Sequence, residues 1–327
     1  MASRRLGGLP LPGCALLSAD DVWFAYHGRP GAQSPAGGIP AAEAHGRHEA
    51  TLKGPPAGNG WAGSSGRPAG DRWAGLQGVS LEVRPGSRVG VLGANGSGKT
   101  TLLRVLGGTL RPDRGRVFLE GEDLCHFSRR SLARRIASVP QETHLAFDYT
   151  VLEIALMGRY PHLGPFELEG VRDLAIARDA LLATGTAALE RRSFATLSGG
   201  EKQRVIIASA VAQSAGLMLL DEPTASLDLG YQLEIAALLR RLNTDRGITM
   251  VVATHDLNFA ASVCNELVLL KRGTVLAAGP VEQVLTRDKV RELYLVEADV
   301  HFHEAAGHMT VVPLRKVAEA VRPEDRG

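Results

Sequence analysis

Cysteine is scarce: Cys14, Cys125 and Cys264 are the only three among 327 residues. An odd number of widely spaced thiols builds neither a disulfide framework nor a zinc cluster, which points to a reducing compartment. A surplus of one charge is lacking too, with 37 basic side chains against 35 acidic ones and a net charge of +2. Nucleic-acid binding draws its affinity from a concentrated basic face, so this balance argues against a dedicated nucleic-acid partner. Paired arginines such as Arg129-Arg130 and Arg240-Arg241 are scattered along the chain and read as solvated helix faces. No apolar run approaches the ~20 residues that cross a bilayer. Pro10 and Pro12 break the short stretch before Cys14, so no apolar signal core precedes it.

Glycine, by contrast, is abundant. The chain has 38, well above the usual share of roughly 7%, and their distribution is uneven. Between His27 and Arg72, 17 of 46 residues are Gly or Pro, and large aliphatic side chains are few. Such a segment cannot bury enough apolar surface to offset the entropy of ordering it, so disorder is expected over 27–72, as it is for the first 15 residues. Strand-like patterns flank this insert, at Val22–Tyr26 and Leu76–Val83. Further strands are expected at Arg88–Leu92, Ile136–Val139, Leu217–Leu220, Thr249–Ala253 and Leu267–Leu270, alternating with helical stretches. That alternation implies an α/β core with a largely parallel sheet. The stretch from Thr150 to Ala212 reads as mainly helical, a subdomain inserted into that core.

The strongest signal is Gly93-Ala94-Asn95-Gly96-Ser97-Gly98-Lys99-Thr100, followed by Thr101. It fits G-x-x-x-x-G-K-[ST] and stands between a strand and a helix, as a phosphate-binding loop must. Glycines let backbone N–H groups close around phosphates, and the helix N-terminus adds a positive dipole end. Lys99 is positioned to reach the outer phosphates, and Thr100 to offer a hydroxyl to Mg²⁺. A second signal is the apolar run Leu217–Leu220 ending in Asp221-Glu222. It reads as a buried strand presenting two carboxylates at its C-terminal end, where α/β folds place ligands. Asp221 suits Mg²⁺ coordination, and Glu222 suits activation of an attacking water. A third is Ser198-Gly199-Gly200-Glu201, an anion-binding cap ahead of a helix expected from about Lys202 to Gln213. One loop already serves one nucleotide, so a second cap suggests a second copy of the chain closing over the same nucleotide.

Gly93–Thr100, Gln141, Leu197–Glu201, Asp221-Glu222, Ser226-Leu227-Asp228 and His255 together resemble, in order and spacing, the ATP-binding subunit of ATP-binding cassette (ABC) transporters. The resemblance covers roughly residues 16–26 and 73–295, leaving 296–327 as a C-terminal extension. It implies an α/β fold: a P-loop NTPase core with a mainly parallel sheet, an N-terminal antiparallel β-subdomain and an inserted helical subdomain. It further implies that Tyr26 stacks on adenine and that Gln141 touches Mg²⁺ and senses the permease. Ser198, Gly199 and Gly200 then bind the γ-phosphate of ATP held by the opposite subunit, Asp228 sits at the dimer seam, and His255 contacts the γ-phosphate and steadies Glu222. The implied cofactors are ATP and Mg²⁺. The implied partners are a second copy, integral membrane permease subunits and, indirectly, a substrate-binding protein. The implied place is the cytoplasmic face of the cell membrane. The 46-residue insert departs from the family pattern, in which a short turn follows the stacking aromatic.

Pro140–Thr143, Phe147–Val151 and Met157–His162 are similar to importers of iron–siderophores, vitamin B12 and haem, with iron(III)-siderophore complexes the first expectation for the cargo. A rival reading is a soluble cassette ATPase acting on DNA or ribosomes. Members acting on chromosomes carry long coiled coils between the two motifs, whereas here 99 positions separate Lys99 from Ser198 without sustained heptads. His303-Glu304 and His308 miss the zinc spacing H-E-x-x-H by one position, so an exposed strand and turn is expected there.

Overall fold

The computed structural model describes residues 15–26, 75–143 and 147–317. The disorder expected of residues 1–14 and of the insert lies outside the described residues. All described residues belong to one unit, which excludes His27–Trp73.

Strands β1 (Leu17–Ala25) and β2 (Gly75–Val83) pair antiparallel as far as Ala25 opposite Gly75. The insert therefore enters where a hairpin turn would stand, a position that tolerates length because closure entropy grows only logarithmically. With β4 (Arg114–Leu119) and β5 (Glu122–Asp123) they form a four-stranded antiparallel sheet in the order β2-β1-β4-β5. Between β2 and β4 run β3 (Arg88–Leu92) and helix α1 (Lys99–Leu106). After β5 come α2 (Arg129–Ala133) and β6 (Ile136–Val139).

A helical stretch of α3 (Val151–Met157), α4 (Val171–Ala183) and α5 (Gly199–Ala212) leads to β7 (Leu217–Asp221). Then follow α6 (Leu229–Arg246), β8 (Thr249–Thr254), α7 (Leu257–Val263), β9 (Glu266–Lys271) and β10 (Thr274–Pro280). Short helices α8 (Val281–Val284) and α9 (Arg287–Tyr294) precede a final hairpin, β11 (Val296–His303) and β12 (His308–Lys316). The second sheet has the order β10-β9-β3-β8-β7-β6, parallel except for its β10 edge.

The continuous apolar runs of β7 and β8 follow from burial on both faces. Met218, Leu220, Met250 and Val252 enter the core shared with the helices α3–α7. Leu217, Leu219, Val251 and Ala253 enter the core shared with α1 and the antiparallel sheet. Leu92 lies opposite Thr254, and Ala253 opposite Asp221. The ends of three neighbouring strands thus meet at one edge, with their following loops.

The strand positions read from sequence hold to within a residue or two at most ends. Helix α5 differs: it starts at Gly199, not near Lys202. The reason is a capping box in which Ser198 Oγ accepts from Glu201 N–H and the Glu201 carboxylate accepts from Ser198 N–H at 2.8 Å. Both glycines thus occupy the first helical turn. His301, His303 and His308 lie on the final hairpin, and no group of three or more potential ligands is placed to hold a metal ion among the described residues. The hairpin is bound to α7 by the Asn258 amide, which donates to Val311 C=O at 3.1 Å and accepts from Val311 N–H at 2.8 Å.

Several carboxylates of the helical stretch have pKa values below the ordinary range. Backbone and hydroxyl donors of Thr150 hold Glu153 down, those of Ser198 hold Glu201 down, and the Arg159 guanidinium does the same for Asp173. A lowered folded pKa supplies stability that is present above the unfolded value and lost as pH falls through the folded one. Helix content followed by circular dichroism in mild denaturant should therefore fall as pH drops below about 4. A transition insensitive to pH between 5 and 3 would contradict this.

Candidate nucleotide site

The phosphate loop leaves β3 at Leu92 and enters α1 at Lys99. Gly98 is the N-cap and takes φ 104°, a conformation closed to side chains with a Cβ. Ala94, Asn95 and Gly96 are exposed at the tip, while Ser97 is buried. Lys99 is 6% exposed. Its Nζ donates to Gly93 C=O at 2.9 Å and lies 3.4 Å from Glu222 Oε1.

Asp221 closes β7, and Glu222 follows in the left-handed region at φ 47°. For a residue with a Cβ that conformation costs roughly 1–2 kcal/mol. It persists because Glu222 N–H donates to Ala253 C=O at 2.9 Å. The side chain is thereby turned toward the lysine and toward His255, whose Nδ1 lies 2.9 Å from Glu222 Oε2. Lys99, Glu222 and His255 thus form one constellation, with the outer part of the His255 ring open to solvent.

Asp221 is 9% exposed, and its Oδ1 is buried without a hydrogen-bond partner. Burial raises its pKa, opposed by a hydrogen bond from the Thr100 hydroxyl. A buried carboxylate oxygen left unpaired beside a hydroxyl fits a hard divalent cation, and Mg²⁺ needs only one or two such ligands beside phosphate and water. Gln141 is exposed just past β6. Since Val139 pairs with Leu220, Gln141 leaves the sheet beside the end of β7.

Tyr26 is half exposed, packs edge-on against Phe24, and lies with its hydroxyl 3.1 Å from Thr101 Oγ1. The structure thus brings Tyr26 to the phosphate-loop helix despite the insert that follows it. Ser198, Gly199, Gly200 and Asp228 form a second cluster at the starts of α5 and α6. There the side chains of Ser198 and Asp228 bond to Glu201 and Tyr231, not to the phosphate loop.

Residues 76–225 match the family described as ABC transporter. The hemin import ATP-binding protein HmuV of Gloeobacter violaceus is 44% identical over 246 residues, covering 73% of this chain and 88% of that protein. The chain belongs to the ABC transporter family. It carries the ATP-binding, ATP-hydrolysing domain of that family. The cobalamin import ATP-binding protein BtuD of Halobacterium salinarum is 41% identical over 73% of this chain, and the match spans 60% of that longer protein. The ferric enterobactin transport ATP-binding protein FepC of Escherichia coli is 36% identical over 73% of this chain and 89% of FepC. Among solved structures, a metal-chelate type ABC transporter in an inward-facing conformation superposes with TM-score 0.70 at 27% identity, over 92% of this chain and 98% of that one. The dimeric ABC transporter cassette MJ0796 superposes with TM-score 0.57 at 30% identity, over 64% of this chain and 91% of its own.

Two residues of this cassette escaped the sequence reading. Tyr294, the last residue of α9, donates its hydroxyl to His255 C=O at 3.3 Å and accepts from Gly93 N–H. Burial, then the charges of Glu222 and Asp256, push its phenol pKa up. No motif marks it, because it reaches the site from nearly 200 residues downstream of the phosphate loop. Tyr231 stands three residues after Asp228, one helical turn on, which is the only local signal for it.

Proposed function

We propose that the chain is the ATP-hydrolysing subunit of a membrane importer whose cargo is an organic metal chelate. The Lys99–Glu222–His255 constellation at the carboxyl edge of the parallel sheet carries this reading. Two copies close face to face around two ATP molecules, each phosphate loop meeting the Ser198–Gly200 cap of the other copy. Tyr26 stacks on adenine, backbone amides of Gly93–Thr101 surround the phosphates, and Lys99 neutralises their outer oxygens. Glu222 orients the attacking water and accepts its proton, while His255 steadies Glu222 and reaches the γ-phosphate with its open ring edge. Mg²⁺, held by Thr100, Asp221 and Gln141, would neutralise charge on the phosphates.

No helix of the described residues is long and apolar enough to cross a membrane. The proposed place, implied by the resemblance to import subunits, is the cytoplasmic face of the membrane, held there by permease subunits. Phe147, Tyr160, Phe166 and Leu168, large side chains exposed on the helical stretch, support it as the docking face. A substrate-binding protein enters only through the permease. The near-neutral charge supports no nucleic-acid role.

For the cargo, the relatives' names offer haem, cobalamin and ferric enterobactin, all metal ions wrapped in an organic ligand. A ferric siderophore, the first expectation from sequence, remains one of three. The complex reconstituted with its permease and binding protein should show ATP hydrolysis stimulated severalfold by one of these chelates. Stimulation by none of them, with DNA or ribosomes effective instead, would replace this reading with the soluble one.

A further inference from the structure

The starts of α5 and α6 are joined by Tyr231, a residue outside every motif described above. Its backbone N–H donates to Asp228 Oδ1 at 3.0 Å, and its phenol oxygen lies 3.2 Å from Ser198 Oγ. The ring lies so close to Gly200 that a Cβ at 200 would stand 2.1 Å from Tyr231 Cδ1. Glycine at 200 is what admits the ring. The Arg204 guanidinium covers the ring at 5.8 Å from its centroid. One side chain thus connects the cap proposed to meet the nucleotide with the aspartate that the resemblance assigns to the dimer seam.

Which atom donates between Tyr231 and Ser198 decides what Ser198 offers a ligand. A serine hydroxyl has one proton and two acceptor positions. One acceptor position already takes the Glu201 N–H. With the phenol proton on the other, the Ser198 proton stays off Tyr231: it is given to the Glu201 carboxylate, whose pKa it lowers, and can turn from there to an incoming group. In the reverse arrangement Ser198 spends its proton on Tyr231 and turns only lone pairs toward the phosphate, which repels it.

We propose that Tyr231 is a positioning residue that commits the Ser198 hydroxyl to donate to the γ-phosphate of ATP bound by a second copy. The inference rests on the two-copy reading of the site. It predicts that the tyrosine hydroxyl acts only through Ser198, and only on ATP shared between copies.

The test uses the full chain carrying Glu222→Gln, so that ATP is not consumed, and reads the ATP concentration giving half-maximal dimer by sedimentation velocity. Tyr231→Phe keeps the ring against Gly200 and removes only the hydroxyl. Loss of one net hydrogen bond should raise that concentration about fivefold. With Ser198→Ala also present, Tyr231→Phe should add nothing. Binding of a fluorescent ATP analogue at protein concentrations too low for dimers should be the same with Tyr or Phe. An unchanged midpoint, or equal shifts with and without the Ser198 hydroxyl, overturns the role of Tyr231 and leaves the two-copy reading standing. A Glu222→Gln chain that stays monomeric at saturating ATP overturns the two-copy reading, and this inference with it.

Discussion

Glu222→Gln should lower ATP turnover at least a hundredfold while ATP binding survives and ATP-bound dimers accumulate. The size follows from the loss of a positioned general base, which contributes roughly 10²–10⁴ in rate. Glutamine preserves the side-chain volume and can still accept from His255 Nδ1, which lies 2.9 Å from Glu222 Oε2. What it loses is basicity and the charge 3.4 Å from Lys99 Nζ. Freed from that carboxylate, Lys99 pairs more fully with phosphate, so binding should hold or tighten. Steady-state hydrolysis and sedimentation on one preparation check both halves. Turnover near that of the unchanged chain would remove Glu222 from the role of base.

Arg159→Ala should lower stability by about 3 kcal/mol. Arg159 is 5% exposed and its Nε lies 3.0 Å from Asp173 Oδ1. The same guanidinium donates to Ala212 C=O at 2.7 Å and to Ser214 Oγ at 3.2 Å. It therefore ties the N-terminus of α4 to the C-terminus of α5. Truncation leaves the Asp173 carboxylate without its cation and Ala212 C=O with only the longer Ser214 Oγ donor at 3.2 Å. Chemical denaturation should show the loss, and Arg159→Lys should recover only part of it, since one ammonium cannot match the fork. A change under about 0.5 kcal/mol, the scale of an ordinary surface substitution, would contradict the assignment.

Arg159 also divides a segment that reads as uniform in sequence. Met157–His162 is similar to importer segments and lies in the stretch proposed to dock on the permease. In the fold, Arg159 faces inward as a strut. His162 Nε2 lies 2.8 Å from Gln213 C=O, and Pro161 C=O accepts from Arg130 and Arg134. Of these residues it is Tyr160 that stands out as a large exposed apolar side chain. A run of six letters cannot say which side chains turn inward, because here the direction depends on where α4, α5 and α2 lie.

Local chemistry made much of the site legible. Gly98 must be glycine for φ 104°, and the strand-to-helix context is needed to present the loop. The apolar run ahead of Asp221 reads as a strand buried on both faces, and it is one. These features rest on residues adjacent in the chain, where spacing and backbone conformation are coupled. The early start of α5 was also written locally, in Ser198 and Glu201, but the two glycines between them masked it, since glycine usually interrupts helices.

The amino-acid sequence by itself determined the family, the phosphate loop, the paired acids and the serine cap. Each is a short pattern whose chemistry demands those residue types at that spacing. The resemblance already implied that His255 steadies Glu222, but only the tertiary structure decided that Lys99 joins them, because that convergence comes from the parallel register of β3, β7 and β8. It alone decided that Tyr294 reaches His255 and that Tyr231 joins Asp228 to Ser198. Those contacts form between separate elements, and packing, not spacing along the chain, sets the distance between them.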